Sequence, residues 1–384
     1  MIRKVIFWIH LLSGSVAGVV ILMMSVTGVI LTFQSQMVAF DNRSYSTVEP
    51  PLPGAVRLDM DTIVNRVKAS EPEAEATSVT VRPNPKAAYV VNFGRTRTVF
   101  VDPYTGEVRG EGNTRLRDIL RSVMYWHRWF GAEGDNRDIA KAITGAGNLA
   151  FCLLTITGIF IWWPRKHKLT TFKTNMIPKF KIRGKARDFN WHHTAGFWFL
   201  PVLFLISLSG IYISYISWAG DLVYTLTGTE RPAAEAPPPR GATWETPRIP
   251  LESFITVAKE QVPEWAYITL ALPKTGAKTA ILSISESDSR IPLTRSTLKL
   301  KTENAAVVEW VPFSGLNLGN RITTWLRWIH TGEAGGWIGQ LIAGLATTAA
   351  LVLGWTGLSL SYRRLSQYLK RRRTSLPNEN ASQN

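Results

Sequence analysis

One cysteine in 384 residues, Cys152, excludes an internal disulfide, a thiolate zinc cluster and a C-x-x-C-H porphyrin anchor. It sits inside an apolar run and reads as a small packing residue. No G-x-G-x-x-G follows a strand and no Walker string occurs, so nothing marks a nucleotide-binding enzyme. A hydrolytic constellation is missing as well. Histidine is sparse, with six in the chain, and acidic residues are outnumbered, 28 against 44 Lys and Arg.

The resulting net charge of +16 suggests a nucleic-acid binder until it is mapped along the chain. Residues 34–136 carry 13 basic and 13 acidic side chains, and residues 219–336 carry 12 and 12. The surplus lies at Arg3 and Lys4, in residues 164–191 and in the tail from Arg363 to Arg373. Residues 164–191 hold nine Lys or Arg against Asp188 alone. Charge is nearly absent from four runs, Ile6–Phe33, Ile143–Trp163, Phe197–Trp218 and Trp337–Tyr362. Each approaches the ~20 residues needed to cross a bilayer core. Basic connections on one side of such runs are what the positive-inside rule produces, so the charge reports topology and no nucleic-acid partner is expected. Both termini and the 164–191 loop are expected in the cytoplasm, with the two neutral segments on the periplasmic side of a bacterial inner membrane. Residues 1–33 start with basic charge as a signal peptide does. Their apolar run exceeds an h-region of about 7–15 residues and no A-x-A site follows, so a retained anchor is expected.

The spans divide the chain into 1–33, 34–125, 126–163, 164–191, 192–218, 219–325, 326–362 and 363–384. The halves resemble each other. W8-I-H10 opens the first span and W191-H192-H193 the third. S25-V-T-G28 and S207-L-S-G210 each lie with glycine 18 residues after His10 and His192. T157-G158 and T356-G357 mark the second and fourth spans. Eighteen residues is about five helical turns, which puts His and Gly on one face. The expected fold is therefore membrane α-helical, with four transmembrane helices in two parallel repeats and two periplasmic α+β domains. In the first domain the pattern predicts a helix over Asp59–Ala69 and strands over Thr77–Val81, Ala88–Phe93 and Thr98–Asp102. The turn D102-P-Y-T-G-E-V108 then feeds a last short strand. The second domain repeats this with a helix over Leu251–Val262 and strands over Tyr267–Leu272, Ala280–Ser285 and Thr297–Lys301. Thr302–Ala305 replaces the closing turn, and residues 229–248 read as a stiff proline-rich linker.

Five histidines lie at span ends. On the expected topology His10, His192 and His193 are near the cytoplasmic face, and His127 and His330 near the opposite one. Each face thus receives an imidazole from each half, and two opposed imidazoles supply both axial ligands of a haem iron. The expected sites join His10 to His192 and His127 to His330, giving two haem b groups. The adjacent histidines are about 100° apart on a helix, so only one of His192 and His193 faces inward. The repeat favours His192, while His193 stays open as an auxiliary group or the ligand itself. Gly14, Gly196 and Gly131, four residues after His10, His192 and His127, suggest room for a flat macrocycle or close helix packing. Arg128 and Arg327 are candidates for haem propionates or for interfacial anchors. His167 reads as solvated, the tryptophans as mostly an aromatic belt, and Met23 and Met24 as core.

The string F100-V-D-P-Y-T-G-E-V108, together with the W-x-H and W-H motifs above and W126-H127-R128 and W328-I-H330, resembles the PepSY-associated transmembrane family. Within it the iron-regulated membrane proteins and siderophore reductases are the nearest in pattern, over residues 1–365. The resemblance implies an oxidoreductase that gives electrons to a ferric siderophore, such as a ferrioxamine, in the periplasm and releases Fe(II). It also implies haem ligation by His10, His127, His192 or His193, and His330. The electron donor would be a quinol, a soluble reductant or another reductase. Two other readings compete: a PepSY sensor or interaction module without redox activity, and a metal or proton transporter using the same histidines.

Overall fold

The computed structural model describes residues 1–72, 74–94, 97–163, 176–232, 248–287 and 295–374, with side chains through residue 370. His167, most of the proline-rich linker and the end of the basic tail lie outside the described residues. The helices are α1 (Ile2–Leu31), α2 (Gln34–Asp41), α3 (Arg43–Ser46), α4 (Met60–Ser70), α5 (Thr114–Trp129) and α6 (Asn136–Trp162). They continue as α7 (Gly184–Ser214), α8 (Ile216–Thr227), α9 (Leu251–Gln261), α10 (Leu318–Thr331) and α11 (Gly336–Thr374). Contacts divide the chain into two units, one of residues 1–32, 120–221 and 325–384, the other of residues 33–119 and 222–324.

Four helical stretches are long and apolar enough to cross a membrane, Ile2–Asp41, Asn136–Trp162, Gly184–Ser214 and Glu333–Lys370, and all but the end of the first belong to the first unit. α1 and α7 each pack against both α6 and α11, closing a four-helix ring. Close approach is possible because α11 presents Ala343, Ala346 and Ala350 inward, and Leu203 of α7 is buried against the last two. The third span departs from its sequence limits. It starts at Gly184 and so includes both histidines, and it stops at Ser214, which leaves Trp218 on the separate helix α8. The histidines before the second and fourth spans stand on helices of their own, α5 and α10, both ending within two residues of the histidine.

The second unit is an antiparallel sheet with two helices on its buried face. Its strands are β1 (Ser78–Val81), β2 (Tyr89–Phe93), β3 (Arg97–Val101), β4 (Val108–Gly110), β5 (Tyr267–Ala271), β6 (Thr279–Ser285), β7 (Arg295–Lys301) and β8 (Val307–Val311). Their spatial order, β4-β3-β2-β1-β5-β6-β7-β8, corrects the expectation of two separate α+β domains. β1 pairs antiparallel with β5, so the two copies share one eight-stranded sheet. That junction leaves neither copy with an exposed inner edge. β8 was not expected; it completes the second copy as β4 does the first.

Alternation sets the buried face, with every second residue of β2 and β7 inaccessible. Met60 and Ile63 of α4, and Phe254 and Ile255 of α9, join the same core. The helices also cap each other across the repeat. The Asp61 carboxylate accepts from Leu251 N at 3.0 Å, and the Glu252 carboxylate accepts from Met60 N at 3.2 Å. Each acid thereby satisfies a helix-start amide of the other copy. The D-P-Y-T-G turn is structural: Asp102 Oδ1 accepts from Tyr104 N and Thr105 N at 2.8 and 3.2 Å, and Gly106 takes φ 70°.

Candidate functional site

Four histidines of the first unit meet as two pairs. His10 on α1 faces His192 on α7 with ring centroids 6.4 Å apart. His127 on α5 faces His330 on α10 at 6.3 Å. Imidazoles that share one metal through nitrogens at about 2.0–2.1 Å hold their centroids roughly 6 Å apart. The ring of His193 lies 4.2 Å from that of Phe189.

Hydrogen bonds fix which ring nitrogen is available. Thr157 Oγ1 donates its proton to Leu153 O at 2.7 Å and lies 2.9 Å from His10 Nδ1. With its one proton on Leu153 O the hydroxyl accepts from the ring, which favours the tautomer of His10 protonated at Nδ1. Thr27 repeats the arrangement with Met23 O at 2.8 Å and His127 Nδ1 at 2.8 Å. Thr356 does so with Val352 O at 2.6 Å and His192 Nδ1 at 3.0 Å. His330 Nδ1 donates to the carbonyl of Ile206 at 2.9 Å, with Ser209 Oγ at 3.5 Å. All four rings therefore keep an Nε2 lone pair, the donor a metal needs, with Nδ1 held by a second partner.

The residue after each hydroxyl is glycine, and the ring edge packs there. A Cβ placed on Gly28 or Gly158 would lie 3.5 Å from Cε1 of His127 or His10. On Gly357 it would lie 3.3 Å from His192 Cε1, and on Gly210 3.1 Å from His330 Cε1. The Ser/Thr-Gly dipeptides that mark the sequence repeat are thus the seats of the four imidazoles. Sequence reading noticed them but did not assign Thr27, Thr157, Ser209 and Thr356 this task. The glycines four residues after the histidines do something else. Gly14 and Gly196 face Leu154 and Leu353 of neighbouring spans. Gly131, at φ 71°, lies beyond the end of α5 and shares no helical face with His127, which corrects that part of the spacing argument.

The α1 helix carries His10 of one pair near its start and the Thr27 seat of the other near its end. Seventeen residues of helix between them set the pairs about 25 Å apart along the axis. Beside His10 and His192, the buried carboxylate of Asp188, one turn before His192, accepts from Arg187 at 2.8 Å and Ser359 at 2.8 Å, with Arg363 at 3.5 Å. These bonds tie α7 to α11 just beyond the His192 seat. Beside His127 and His330 lies a cavity of about 50 Å³ whose walls include Met24, Arg128, Lys141 and Asn148. Thr144 Oγ1 donates to Arg128 O at 2.8 Å and fixes the end of α5 against α6. Arg327 instead lies over its neighbour Trp328, 5.9 Å from the ring centroid, and is not in the cavity wall.

Among the described residues no three or more His, Cys, Asp or Glu side chains gather as a metal-ligand group. Two imidazoles alone fall short of the four ligands that a structural zinc ion takes. They suit a metal whose remaining donors arrive with it, as a porphyrin's do.

Comparison with curated proteins gives no match. The family description "PepSY-associated TM region" matches residues 7–364, a stretch that includes both histidine pairs and the whole eight-stranded sheet. The chain belongs to the PepSY-associated TM family.

Proposed function

We propose that this protein is a two-haem ferric-siderophore reductase of the bacterial inner membrane. The observation that carries the reading is the pair of facing imidazole sets, each ring bonded through Nδ1. His10 with His192, and His127 with His330, would hold haem b through Nε2. Haem b supplies reversible one-electron chemistry at its iron. The chain's part is to orient each ring through Thr157, Thr27, Thr356 and Ile206 O, and to keep the neutral tautomer in place.

The charge distribution supports cytoplasmic termini, two parallel repeats and a periplasmic sheet domain. His10 and His192 then lie toward the cytoplasm, His127 and His330 toward the periplasm. The net reaction takes one electron from a cytoplasmic-side donor, a quinol, soluble reductant or reductase, and converts Fe(III) in a siderophore to Fe(II). Hard oxygen donors hold Fe(II) less firmly, so the metal is released without acid catalysis or a covalent intermediate.

Anaerobic mixing of the reduced protein with a ferric siderophore tests the activity. The expected result is reoxidation of the reduced protein and appearance of Fe(II), both blocked in His330→Ala. Full-speed reoxidation in that variant would contradict the assignment. A protein that stays reduced in the presence of every ferric chelate would leave it an electron carrier for some other acceptor.

A further inference from the structure

The basic side chains of the first unit are used unequally. Arg3 donates to Ile161 O and Trp163 O, Arg187 and Arg363 bind Asp188, and Arg364 lies over Phe7 and Trp8. Arg128 on α5, Arg327 on α10, and Arg137 and Lys141 on α6 form a second group, and among the described residues none of the four is joined to a carboxylate. The exposed acids Glu133, Asp135 and Asp138 lie in the same stretch of chain, yet no ion pair takes up the cations. Arg128 and Arg137 both lie over the buried ring of Trp129, at 4.6 and 3.6 Å from its centroid. Of the four cations, Arg128 and Lys141 line the cavity beside His127 and His330. Both are exposed, which puts them at its mouth, whereas Met24, Asn148 and the imidazoles form its depth.

We infer that Arg128 and Lys141 form a carboxylate seat that receives the two propionates of the macrocycle held by His127 and His330. The inference rests on the two-haem reading and deepens it. It replaces Arg327 with Lys141 as the partner of Arg128 and orients the group. A macrocycle so held would turn its carboxylates toward Arg128 and Lys141, on α5 and α6. The two propionates would match in charge two cations that have no carboxylate partner among the described residues.

The test compares two porphyrins that differ only in their carboxylates. His10→Ala protein, which keeps the second pair alone, is produced without porphyrin and titrated with iron protoporphyrin IX or its dimethyl ester. Binding is read from the absorption spectrum. The diacid is expected to bind at least tenfold more tightly than the diester. Arg128→Gln with Lys141→Gln should abolish that preference, Lys141→Arg should restore it, and Arg137→Gln should leave it intact. Equal affinity for the two porphyrins in the parent protein would overturn the seat. So would a double variant that keeps the preference but loses binding to vesicles containing phosphatidylglycerol, because the cations would then serve lipid phosphate. Failure of both porphyrins to bind would instead overturn the two-haem reading itself.

Discussion

Thr356 Oγ1 stands 3.0 Å from Nδ1 of His192 while giving its own proton to the carbonyl of Val352, 2.6 Å away. That one hydroxyl decides the tautomer of the ring, and with it which nitrogen can bind a metal. Removing such an outer partner typically costs 10–100-fold in metal affinity. Thr356→Val is therefore expected to weaken loading of the first pair by about that factor, with Thr356→Ser close to the parent. Porphyrin content per chain, measured by pyridine haemochrome, checks it. Equal content in the valine variant would remove the hydroxyl from the account.

The four glycine seats are not equally tight. At Gly210 an added Cβ would meet Asn148 Nδ2 at 2.9 Å and His330 Cε1 at 3.1 Å. At Gly158 the nearest atom is His10 Cε1 at 3.5 Å, an ordinary contact. Gly210→Ala should displace His330 and empty the second site, whereas Gly158→Ala should retain the first. Low-temperature electron paramagnetic resonance checks this, since two occupied haem sites would give two separate low-spin signals. Equal losses in both variants would show that the seats do not work through ring contact.

The reciprocal caps join the two copies of the sheet domain through Asp61 and Glu252. Replacing either with alanine leaves a helix-start amide of the opposite copy without its acceptor. A loss of about 1 kcal/mol per substitution is expected from capping energetics. The double variant should lose about the sum, since each acid serves a different helix. Thermal unfolding of the full chain in detergent measures this. An unchanged midpoint would make the caps incidental.

A pH dependence follows from Asp59, whose side chain accepts from Thr62 N at 2.8 Å to start α4. That backbone bond, more than any other influence, holds its carboxyl below the usual range. The folded value lies beneath the unfolded one, so the contribution is present above the unfolded pKa, near 3.9. It is lost as pH falls through the folded value. Asp59→Asn keeps a capping oxygen but cannot titrate, so its stability should fall less between pH 5 and pH 2. Parallel acid limbs for parent and variant would contradict this.

Much of this site could be read from the chain alone because spans and histidines obey local rules. Uncharged runs of bilayer length and the placement of lysine and arginine follow from solvent alone. The 18-residue spacing from His10 to Gly28 does put both on one face of α1. It cannot reveal that Gly28 packs on His127 and not on His10, since contacts between helices depend on their register. The role of the Ser/Thr-Gly pairs was hidden for the same reason. Likewise β1 and β5 each look like the edge of a small sheet, and nothing local to Ser78–Val81 or Tyr267–Ala271 announces that they pair. The extent of the third span was missed because Gly184–Gly196 carries charge at its start and a helix can run past the bilayer.

The central claim is tested most directly by the absorption spectrum of the purified full-length protein with its single-histidine variants. The account predicts a Soret band, a reduced α-band and two haems per chain. His10→Ala and His127→Ala are each predicted to retain one. A colourless parent protein, or one whose haem content survives both substitutions unchanged, would contradict it.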